Sequence, residues 1–390
     1  MLKKIFLLKN FQKNLSEIND RKKIIKILKK IITENNETIK SLSSRYKNSY
    51  NKKQILKYKN KFLNHRVIGM GGSILGTKAI YDFLRHKIKK NFTFIDNLKY
   101  QQKNRKKNIY LNIIVSKSGN TIETIVNSNI LIKKKDENIF ITENKESYIK
   151  ILAKKLKSEV VHHNNFIGGR YSVLSEVGML PAELMGLNAN HFKQFDVLIK
   201  NRIFFNSLVN SVASTCSLLK KKKFNSIIIN YDEKSDNLFR WYQQLIAESL
   251  GKRKKGLLPI ISTMPKDNHS VMQHYLDGTQ NNFFTFFFVN DDKKVMKINN
   301  KSILSSHNFL KNKKVSDILY AQKNATENVF RKKKIPFRSF EIAKRDEKTL
   351  GELFCFFTLE TILLGRLLSV NPYDQPAVEL IKKETNKILI

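Results

Sequence analysis

The sequence predicts an α/β protein built from two three-layer α/β/α units with mostly parallel sheets, together with N-terminal and C-terminal helices. Short apolar runs of strand length alternate with amphipathic runs of helix length, which is the pattern of strand–helix–strand units. The same alternation begins again near residue 205. Glycine-rich and hydroxyl-rich turns follow two of the apolar runs, at the strand ends where parallel sheets carry ligand sites.

Four segments follow from these patterns, at residues 1–60, 61–200, 201–345 and 346–390. Residues 1–60 predict a basic helical segment, because apolar residues recur at spacings of three and four. The first unit has strands predicted at 67–68, 92–95, 111–115 and 139–142, and helices at 77–84 and 121–133. The second has strands at 226–230 and 283–289 and helices at 204–219 and 236–250. A long apolar helix at 350–368 and a final helix ending near 387 are expected to complete the site.

The composition narrows the class of protein. Lys and Arg (73) exceed Asp and Glu (33), which gives a net charge of +40. The lysines are spread along the whole chain and no nucleic-acid-binding module is recognisable, so we expect a solvated basic surface and no nucleic-acid partner. No apolar run approaches the roughly 20 residues that span a bilayer, and the apolar part of residues 1–9 ends too early for a signal peptide. Cys216 and Cys355 offer neither a disulfide framework nor metal-ligand spacing, so we expect a cytoplasmic protein without a metal.

A glycine-rich turn at residues 69–76 is the first candidate site. Gly72 allows the backbone to approach a ligand closely, and Ser73 can donate to an anion at the start of the next helix. The glycine spacing differs from the dinucleotide-binding pattern. A purely structural turn remains an alternative for this segment.

A hydroxyl-rich turn at residues 116–124 is the second candidate site. It precedes a predicted helix and contains Ser116, Lys117, Ser118 and Thr121. The exposed N–H groups and positive end of a helix attract anions, and the hydroxyls add further donors. A plain helix cap would need only one hydroxyl, so this turn is predicted to bind a phosphate.

An arginine and a glutamate are candidates for the chemistry itself. Arg170 lies between a glycine pair and a Tyr-Ser pair, where it could stabilise negative charge that develops on oxygen. Gln244 and Glu248 are four residues apart and share one face of a predicted helix, whose apolar neighbours could raise the pKa of the carboxyl group. The alternatives are a surface arginine and a solvated glutamate in the last helical turn.

Three further side chains complete the candidate set. His269 begins a polar segment, although a lone histidine is more often a structural residue. Gln375 and Lys382 are seven residues apart, so they lie on one face of the final helix. For Lys382 the plain alternative is a basic helix end.

Taken in order, these segments resemble the glucose-6-phosphate isomerase family, whose members are built from two sugar-isomerase (SIS) domains. The resemblance runs from about Arg66 to Lys382 and rests on Gly-Gly-Arg-Tyr-Ser, Glu-Ser-Leu-Gly-Lys and Asp-Gln-x-x-Val-Glu-Leu-x-Lys. It implies two SIS-type domains, the reversible conversion of glucose 6-phosphate to fructose 6-phosphate through a cis-enediol, no cofactor, and a homodimer with a shared active site. The chain departs from the family at Ile381, where many members have glycine. Glu176 is also unusual, because it adds a negative charge beside a site for a sugar phosphate.

The resemblance also implies a role for each candidate residue. Glu248 resembles the base that moves a proton between C1 and C2, and Arg170 the group that stabilises the enediolate. His269, contributed by the neighbouring subunit, and Lys382 resemble the pair that opens the sugar ring. The residues expected to bind substrate are Gly72, Ser73, Ser116, Lys117, Ser118, Thr121, Gln244 and Gln375.

Two other functions remain open from the sequence. A bifunctional phosphoglucose/phosphomannose isomerase would share most of these segments. A non-catalytic SIS protein that binds sugar phosphates would share the hydroxyl-rich turn, but it would not need Arg170, Glu248, His269 and Lys382 together.

Overall fold

The computed structural model describes residues 18–98, 108–290 and 296–390. Residues 1–17, which include the basic N-terminus, lie outside the described residues, so the prediction of a helical segment is compared only from residue 18. That part forms three helices, α1 (Ile18–Thr33), α2 (Glu37–Ser41) and α3 (Lys52–Lys59). Ile24, Leu28 and Ile31 are buried, as their spacing predicts for one face of a helix.

The first sheet has five parallel strands in the order β2-β1-β3-β4-β5. These strands are β1 (Asn64–Gly69), β2 (Asn91–Ile95), β3 (Leu111–Val115), β4 (Glu137–Thr142) and β5 (Glu159–His162). β3 has the bounds expected from its apolar run. β5 was not predicted, because it is a four-residue strand at the sheet edge and only one of its residues is buried.

The second sheet has four parallel strands in the order β7-β6-β8-β9. These strands are β6 (Asn225–Asn230), β7 (Leu258–Thr263), β8 (Asn282–Val289) and β9 (Phe337–Ile342). β7 and β9 were not predicted. β7 is an edge strand with an exposed leucine at its start, and β9 carries an arginine and a glutamate that hide its apolar pattern.

Twelve further helices connect and flank the strands in the described part of the chain. They are α4 (Leu75–Phe83), α5 (Ile122–Leu131), α6 (Tyr148–Lys155), α7 (Glu176–Leu184), α8 (Ala189–Phe192), α9 (Phe195–Leu198), α10 (Arg202–Lys220), α11 (Asp236–Leu250), α12 (Met272–Asp277), α13 (Val315–Lys332), α14 (Glu347–Leu367) and α15 (Val378–Leu389). α11 has the bounds that the sequence predicts. Within the described residues, no helix combines the length and the apolar character needed to cross a membrane.

Each sheet is covered by helices on both faces. In β1, Val67 faces a large central core, whereas Ile68 packs in a separate core with α5 and α6. In β6, Ile228 faces the same central core, while Ile229 packs with α12 and α13. The central core also contains α4, α7, α10, α11 and α14. The layers are therefore outer helices, sheet, shared central helices, sheet and outer helices, as expected for parallel sheets that are buried on both faces.

Candidate active site

The two candidate turns lie side by side at one edge of the first sheet. The glycine-rich turn follows β1, and the hydroxyl-rich turn follows β3. These two strands are parallel neighbours, with Gly69 paired to Val115 at their carboxyl ends. Parallel sheets bind their ligands at this edge. The fold therefore brings both segments to one place, as the sequence predicts.

The hydroxyl-rich turn is held in shape by its own side chains. Ser116 Oγ lies 3.1 Å from Thr121 Oγ1 and accepts a hydrogen bond of 3.2 Å from the Gly119 N–H. Thr121 is the residue before α5, and the structure assigns its side chain no capping bond to that helix. The N–H groups of the first turn of α5 therefore point toward the space in front of the turn, where an anion can accept from them.

Lys117 adds a positive charge that is already partly balanced. Its Nζ atom lies 3.3 Å from Glu143 Oε1, and both side chains are partly exposed. The exposed Ser118 accepts a hydrogen bond of 3.4 Å from the Asn120 N–H and retains a hydroxyl proton to donate. The turn therefore offers hydroxyl and N–H donors with only a modest net charge.

The glycine-rich turn forms a short 3-10 helix (Gly71–Ser73) that reaches toward the second unit. Gly71 has a φ of +51°, and a Cβ atom at this position would lie 2.6 Å from Gln244 Nε2. A Cβ atom at Gly72 would lie 2.4 Å from the Arg170 main-chain nitrogen. The turn thus lies between the hydroxyl-rich turn and the segments that carry Gln244 and Arg170. The main-chain contact requires glycine at position 72, and the positive φ favours glycine at position 71.

Arg170 is almost fully buried, and all five of its N–H groups have acceptors. The acceptors are Ser249 Oγ (2.7 Å from Nε), Glu248 Oε2 (3.3 Å from Nη1), Gln375 Oε1 (also bound to Nη1), and the main-chain carbonyls of Pro372 (2.7 Å from Nη2) and Asp374 (2.9 Å from Nη2). The Trp241 indole donates to the Arg170 carbonyl at 3.0 Å, so the main chain is held as well. The guanidinium group is a buried, fixed positive charge, so the surface-arginine alternative is wrong.

Glu248 lies in the last turn of α11 and faces the guanidinium group. Its second oxygen, Oε1, accepts a hydrogen bond of 2.9 Å from Gln244 Nε2, one helical turn earlier. About a quarter of the Glu248 side chain is exposed. The buried Gln244 Oε1 atom has no hydrogen-bond partner among the described residues. The carboxylate is therefore oriented by two donors and remains open to a ligand, and the unpartnered amide oxygen can accept from a ligand hydroxyl.

The prediction that Gln375 shares a face of the final helix with Lys382 is wrong, because α15 begins only at Val378. The segment that contains Gln375 lies along one side of the cluster formed by Arg170, Gln244 and Glu248. Besides its bonds to Arg170, it is held by Lys252, whose Nζ atom lies 2.7 Å from Asp374 Oδ1. This ion pair holds the pKa of Asp374 below its usual value. A cavity of about 510 Å³ opens beside Glu248 and Gln375, and it is also lined by Val378 at the start of α15. Its lining comes from the segments 247–253 and 370–378, so this cavity adjoins the glutamate and does not include the hydroxyl-rich turn.

Two predicted site residues lie outside this cluster. His269 is exposed at the end of the 3-10 turn (Lys266–His269) that follows β7. Lys382 lies on α15, where it pairs with Glu379 at 2.6 Å and about two thirds of its side chain is exposed. None of the residues of α15, which lies wholly within the described part of the chain, is buried. The single chain therefore brings together Arg170, Gln244, Glu248 and Gln375, but not these two.

Three side chains in the cluster were not assigned a role from the sequence. Ser249 and Tyr171 lie inside the recognised motifs, next to Glu248 and Arg170. Trp241 precedes Glu248 by seven residues and lies on the same face of α11. The helical spacing was a usable signal for Trp241. The roles of Ser249 and Tyr171 depend on contacts between distant segments, which spacing along the chain does not reveal.

Comparison with solved structures defines the fold class. A hypothetical protein from Thermus thermophilus is 22% identical, with a TM-score of 0.80 over 95% of this chain and 94% of the other. A glucose-6-phosphate isomerase from Chlamydia trachomatis is 20% identical, with a TM-score of 0.67 over 86% of this chain and 71% of the other. These similarities confirm the predicted α/β fold class with parallel sheets.

Sequence comparison defines the family. The model of the family described as phosphoglucose isomerase matches residues 16–390. The glucose-6-phosphate isomerase of Methanocaldococcus jannaschii is 33% identical over 357 residues, which cover 84% of this chain and 85% of the relative. That of Mycoplasmopsis pulmonis is 33% identical over 353 residues, which cover 83% of this chain and 82% of the relative. The chain belongs to the phosphoglucose isomerase family, as its motifs predict.

Proposed function

We propose that this chain catalyses the reversible isomerisation of D-glucose 6-phosphate to D-fructose 6-phosphate in the cytoplasm, as a step of glycolysis and gluconeogenesis. Its family and its relatives named glucose-6-phosphate isomerase support this reaction. The observation that carries the proposal is the contact of the Glu248 carboxylate with Arg170 and Gln244, next to the glycine-rich turn that follows β1. A carboxylate next to a fixed positive charge is what an aldose–ketose isomerisation requires.

Glu248 acts as the base in this proposal. In the open-chain aldose it removes the proton from C2, which leaves a cis-enediolate, and it then returns the proton to C1 while the O2 hydroxyl proton moves to O1. Arg170 stabilises the negative charge on the enediolate oxygens. Its Nη1 donors are bound to two side chains, Glu248 and Gln375, so a substrate oxygen can replace one of these acceptors without disturbing the main-chain contacts.

The substrate contacts follow from the same arrangement. The phosphate binds at the hydroxyl-rich turn and anchors the sugar at a point remote from the reacting carbons. The binding energy of the phosphate then holds C1 and C2 in the orientation that the reaction needs. The remaining polar contacts come from the glycine-rich turn and from the two glutamines. The residues in these roles are Gly72, Ser73, Ser116, Lys117, Ser118, Thr121, Gln244 and Gln375.

Ring opening involves His269 and Lys382, and the proposal places the site in a homodimer. His269 is supplied by the neighbouring subunit, in keeping with its exposed position in the single chain. Lys382 lies four residues beyond Val378, a rise of about 6 Å along the helix. Since Val378 lines the cavity beside Glu248, a modest movement of α15 brings the ammonium group to the sugar oxygens.

The Glu248→Gln variant tests the proposed base. We expect turnover of glucose 6-phosphate to fall by about a thousandfold or more, because the amide cannot accept the C2 proton. Fructose 6-phosphate should still bind, since the amide keeps the shape of the side chain. Glucose 6-phosphate deuterated at C2 should lose its label to water with the wild-type enzyme and keep it with the variant.

Glu137→Gln is the matched control and should behave as wild type. Glu137 is the first residue of β4, at the end of the strands opposite to the candidate site. Near-normal turnover by Glu248→Gln would remove Glu248 from its role. Mannose 6-phosphate, which differs only at C2 and gives the same enediolate, should be assayed in parallel. Comparable rates on both sugars would instead favour a bifunctional phosphoglucose/phosphomannose isomerase.

A further inference from the structure

A closed ring of hydrogen bonds surrounds the side of Arg170 that faces away from Glu248. Arg170 Nε donates to Ser249 Oγ at 2.7 Å, and Ser249 Oγ lies 2.8 Å from the Tyr171 hydroxyl. The Tyr171 hydroxyl donates to the Pro372 carbonyl at 2.9 Å, and the same carbonyl accepts from Arg170 Nη2 at 2.7 Å. All four residues are buried, so water does not compete for these bonds.

The direction of each bond in the ring is determined by counting protons. Arg170 Nε can only donate, so Ser249 Oγ accepts from it. Tyr171 gives its one proton to the Pro372 carbonyl, so the proton between the two hydroxyls belongs to Ser249. Burial raises the pKa of Tyr171, which keeps this phenol protonated. Every donor in the ring therefore has an acceptor, and the guanidinium group is held in one orientation.

We infer that Ser249 is a positioning residue for the proposed isomerisation, which sets the place of the Arg170 guanidinium group relative to the Glu248 carboxylate. Ser249 and Glu248 are consecutive residues in the last turn of α11, so the base and the hydroxyl that fixes the arginine move as one rigid unit. Tyr171 orients the Ser249 hydroxyl so that its lone pair faces Arg170 Nε. This inference rests on the proposed function and adds a residue that touches neither the substrate nor the reacting atoms.

The geometry explains why a buried serine is needed here. Nη1 must remain exchangeable, because one of its two acceptors, Glu248 or Gln375, gives way to the enediolate oxygen. Nε and Nη2 face the protein interior, and their hydrogen bonds fix the orientation of the Arg170 guanidinium group. Without the Ser249 hydroxyl, a buried N–H loses its acceptor and the guanidinium group can rotate toward other partners. A misplaced charge weakens the binding of the enediolate more than that of the substrate, since only the enediolate carries the developing charge.

The Ser249→Ala variant tests the inference. We expect kcat to fall about 10- to 100-fold, the range that corresponds to a lost hydrogen bond to a charged group, with KM changed little. Affinity for 5-phosphoarabinonate, whose carboxylate mimics the enediolate, should fall by a similar factor. Affinity for 1,5-anhydroglucitol 6-phosphate, which cannot form an enediolate, should stay within about twofold of the wild-type value.

Ser211→Ala is the matched control. Ser211 is equally buried and its hydroxyl bonds to another buried pair, Arg338 and Glu360, away from the site. It should lower the thermal stability and leave kcat and both affinities unchanged. In an Arg170→Lys background, which lacks Nε, adding Ser249→Ala should change kcat by less than about twofold.

Three outcomes decide the inference. Wild-type kcat and wild-type 5-phosphoarabinonate affinity in a folded Ser249→Ala enzyme overturn it, as does full additivity in the Arg170→Lys background. If Ser249→Ala does not fold, Tyr171→Phe takes its place, with a smaller loss of the same kind expected and an unchanged analogue affinity counting against the inference. Failure of the proposed function is distinguishable, because the wild-type enzyme would then not release deuterium from C2 of glucose 6-phosphate.

Discussion

Gly72 controls how closely the glycine-rich turn can approach Arg170. A Cβ atom at this position would lie 2.1 Å from the Gly169 carbonyl carbon and 2.4 Å from the Arg170 nitrogen, both main-chain atoms that cannot move aside. Any side chain here would therefore separate the turn that carries Ser73 from the segment that carries the arginine. The glycine is needed for packing between two segments, which is a stronger constraint than turn flexibility alone.

The Ser118→Ala/Thr121→Ala pair tests the phosphate site. Both hydroxyls lie in the turn before α5, and each lost hydrogen bond to a charged phosphate weakens binding by about tenfold. We therefore expect KM for fructose 6-phosphate to rise about 10- to 100-fold, while kcat changes little, because the phosphate is remote from C1 and C2. Steady-state kinetics in both directions provide the measurement.

Ser158→Ala is the control for this pair. Ser158 is partly exposed and lies before β5, at the amino-terminal end of the strands, where its hydroxyl donates to the neighbouring Leu156 carbonyl at 3.3 Å. Its KM should equal that of the wild type. An unchanged KM in the Ser118/Thr121 variant would place the phosphate elsewhere.

At the scale of single residues, the sequence predicts best where one motif carries both partners. Gln244 and Glu248 share a helix face, and their contact follows from the spacing of four. Arg170 and Gln375 come from distant segments, and only the resemblance to a family indicates that they meet. The contact of Ser249 with Arg170 is a product of the tertiary fold, and nothing in the chain near Ser249 predicts it.

At the scale of helices and strands, the strongly apolar elements could be predicted from the sequence. The edge strands that carry exposed or charged residues could not. β3 and α11 match their expected bounds, because each carries a strongly apolar or amphipathic pattern. β9 escaped prediction because Arg338 occupies a buried position of this edge strand, where it forms an ion pair with Glu360. A strand cannot be recognised by its apolar residues where one buried position holds a charged residue whose charge is neutralised by a partner on another element, here α14.

α15 lies in an exposed position in the single chain. Its apolar residues Leu380 and Ile381 are about two thirds exposed, although the helix is amphipathic. The preceding segment is held by the Pro372 and Asp374 carbonyls, which accept from Arg170, and by the ion pair of Asp374 with Lys252, so α15 is joined to a fixed point beside the candidate site. This arrangement fits a helix that moves onto the substrate as a unit.

The Lys382→Ala variant tests this movement and the role of the lysine. We expect kcat on glucose 6-phosphate, which is mostly in the ring form, to fall about 10- to 1000-fold, because proton transfer to and from the ring oxygens is impaired. Hydrogen exchange of residues 378–389 should slow when 5-phosphoarabinonate binds to the wild-type enzyme.

Lys387→Ala is a close control for Lys382→Ala. Lys387 lies on the same helix and pairs with Glu384 at 2.7 Å, just as Lys382 pairs with Glu379 at 2.6 Å. The two substitutions therefore remove equivalent surface ion pairs, which contribute little to stability. Equal kcat values for the two variants would show that Lys382 has no part in the reaction.

At the scale of the whole molecule, the candidate site is assembled from parts of the chain that are distant in sequence. Arg170 follows the first sheet, Glu248 belongs to α11 of the second unit, and Gln375 follows α14. α11 packs against both α4 and α14, which places its last turn at the junction. We propose that the chain divides near residues 60, 200 and 345, with the C-terminal segment completing the site between the two units.

A hybrid dimer of two inactive variants tests whether the two subunits of the proposed homodimer share each active site. Chains with Glu248→Gln and His269→Ala, carrying different affinity tags, are co-expressed and the hybrid dimer is isolated by both tags. If His269 acts across the interface, one of its two sites combines an intact Glu248 with an intact His269, and the hybrid should recover about half of the wild-type kcat. Each variant alone should remain strongly impaired, and sedimentation should give twice the mass of one chain. A hybrid no more active than the two parents would place His269 and Glu248 of one site in the same subunit.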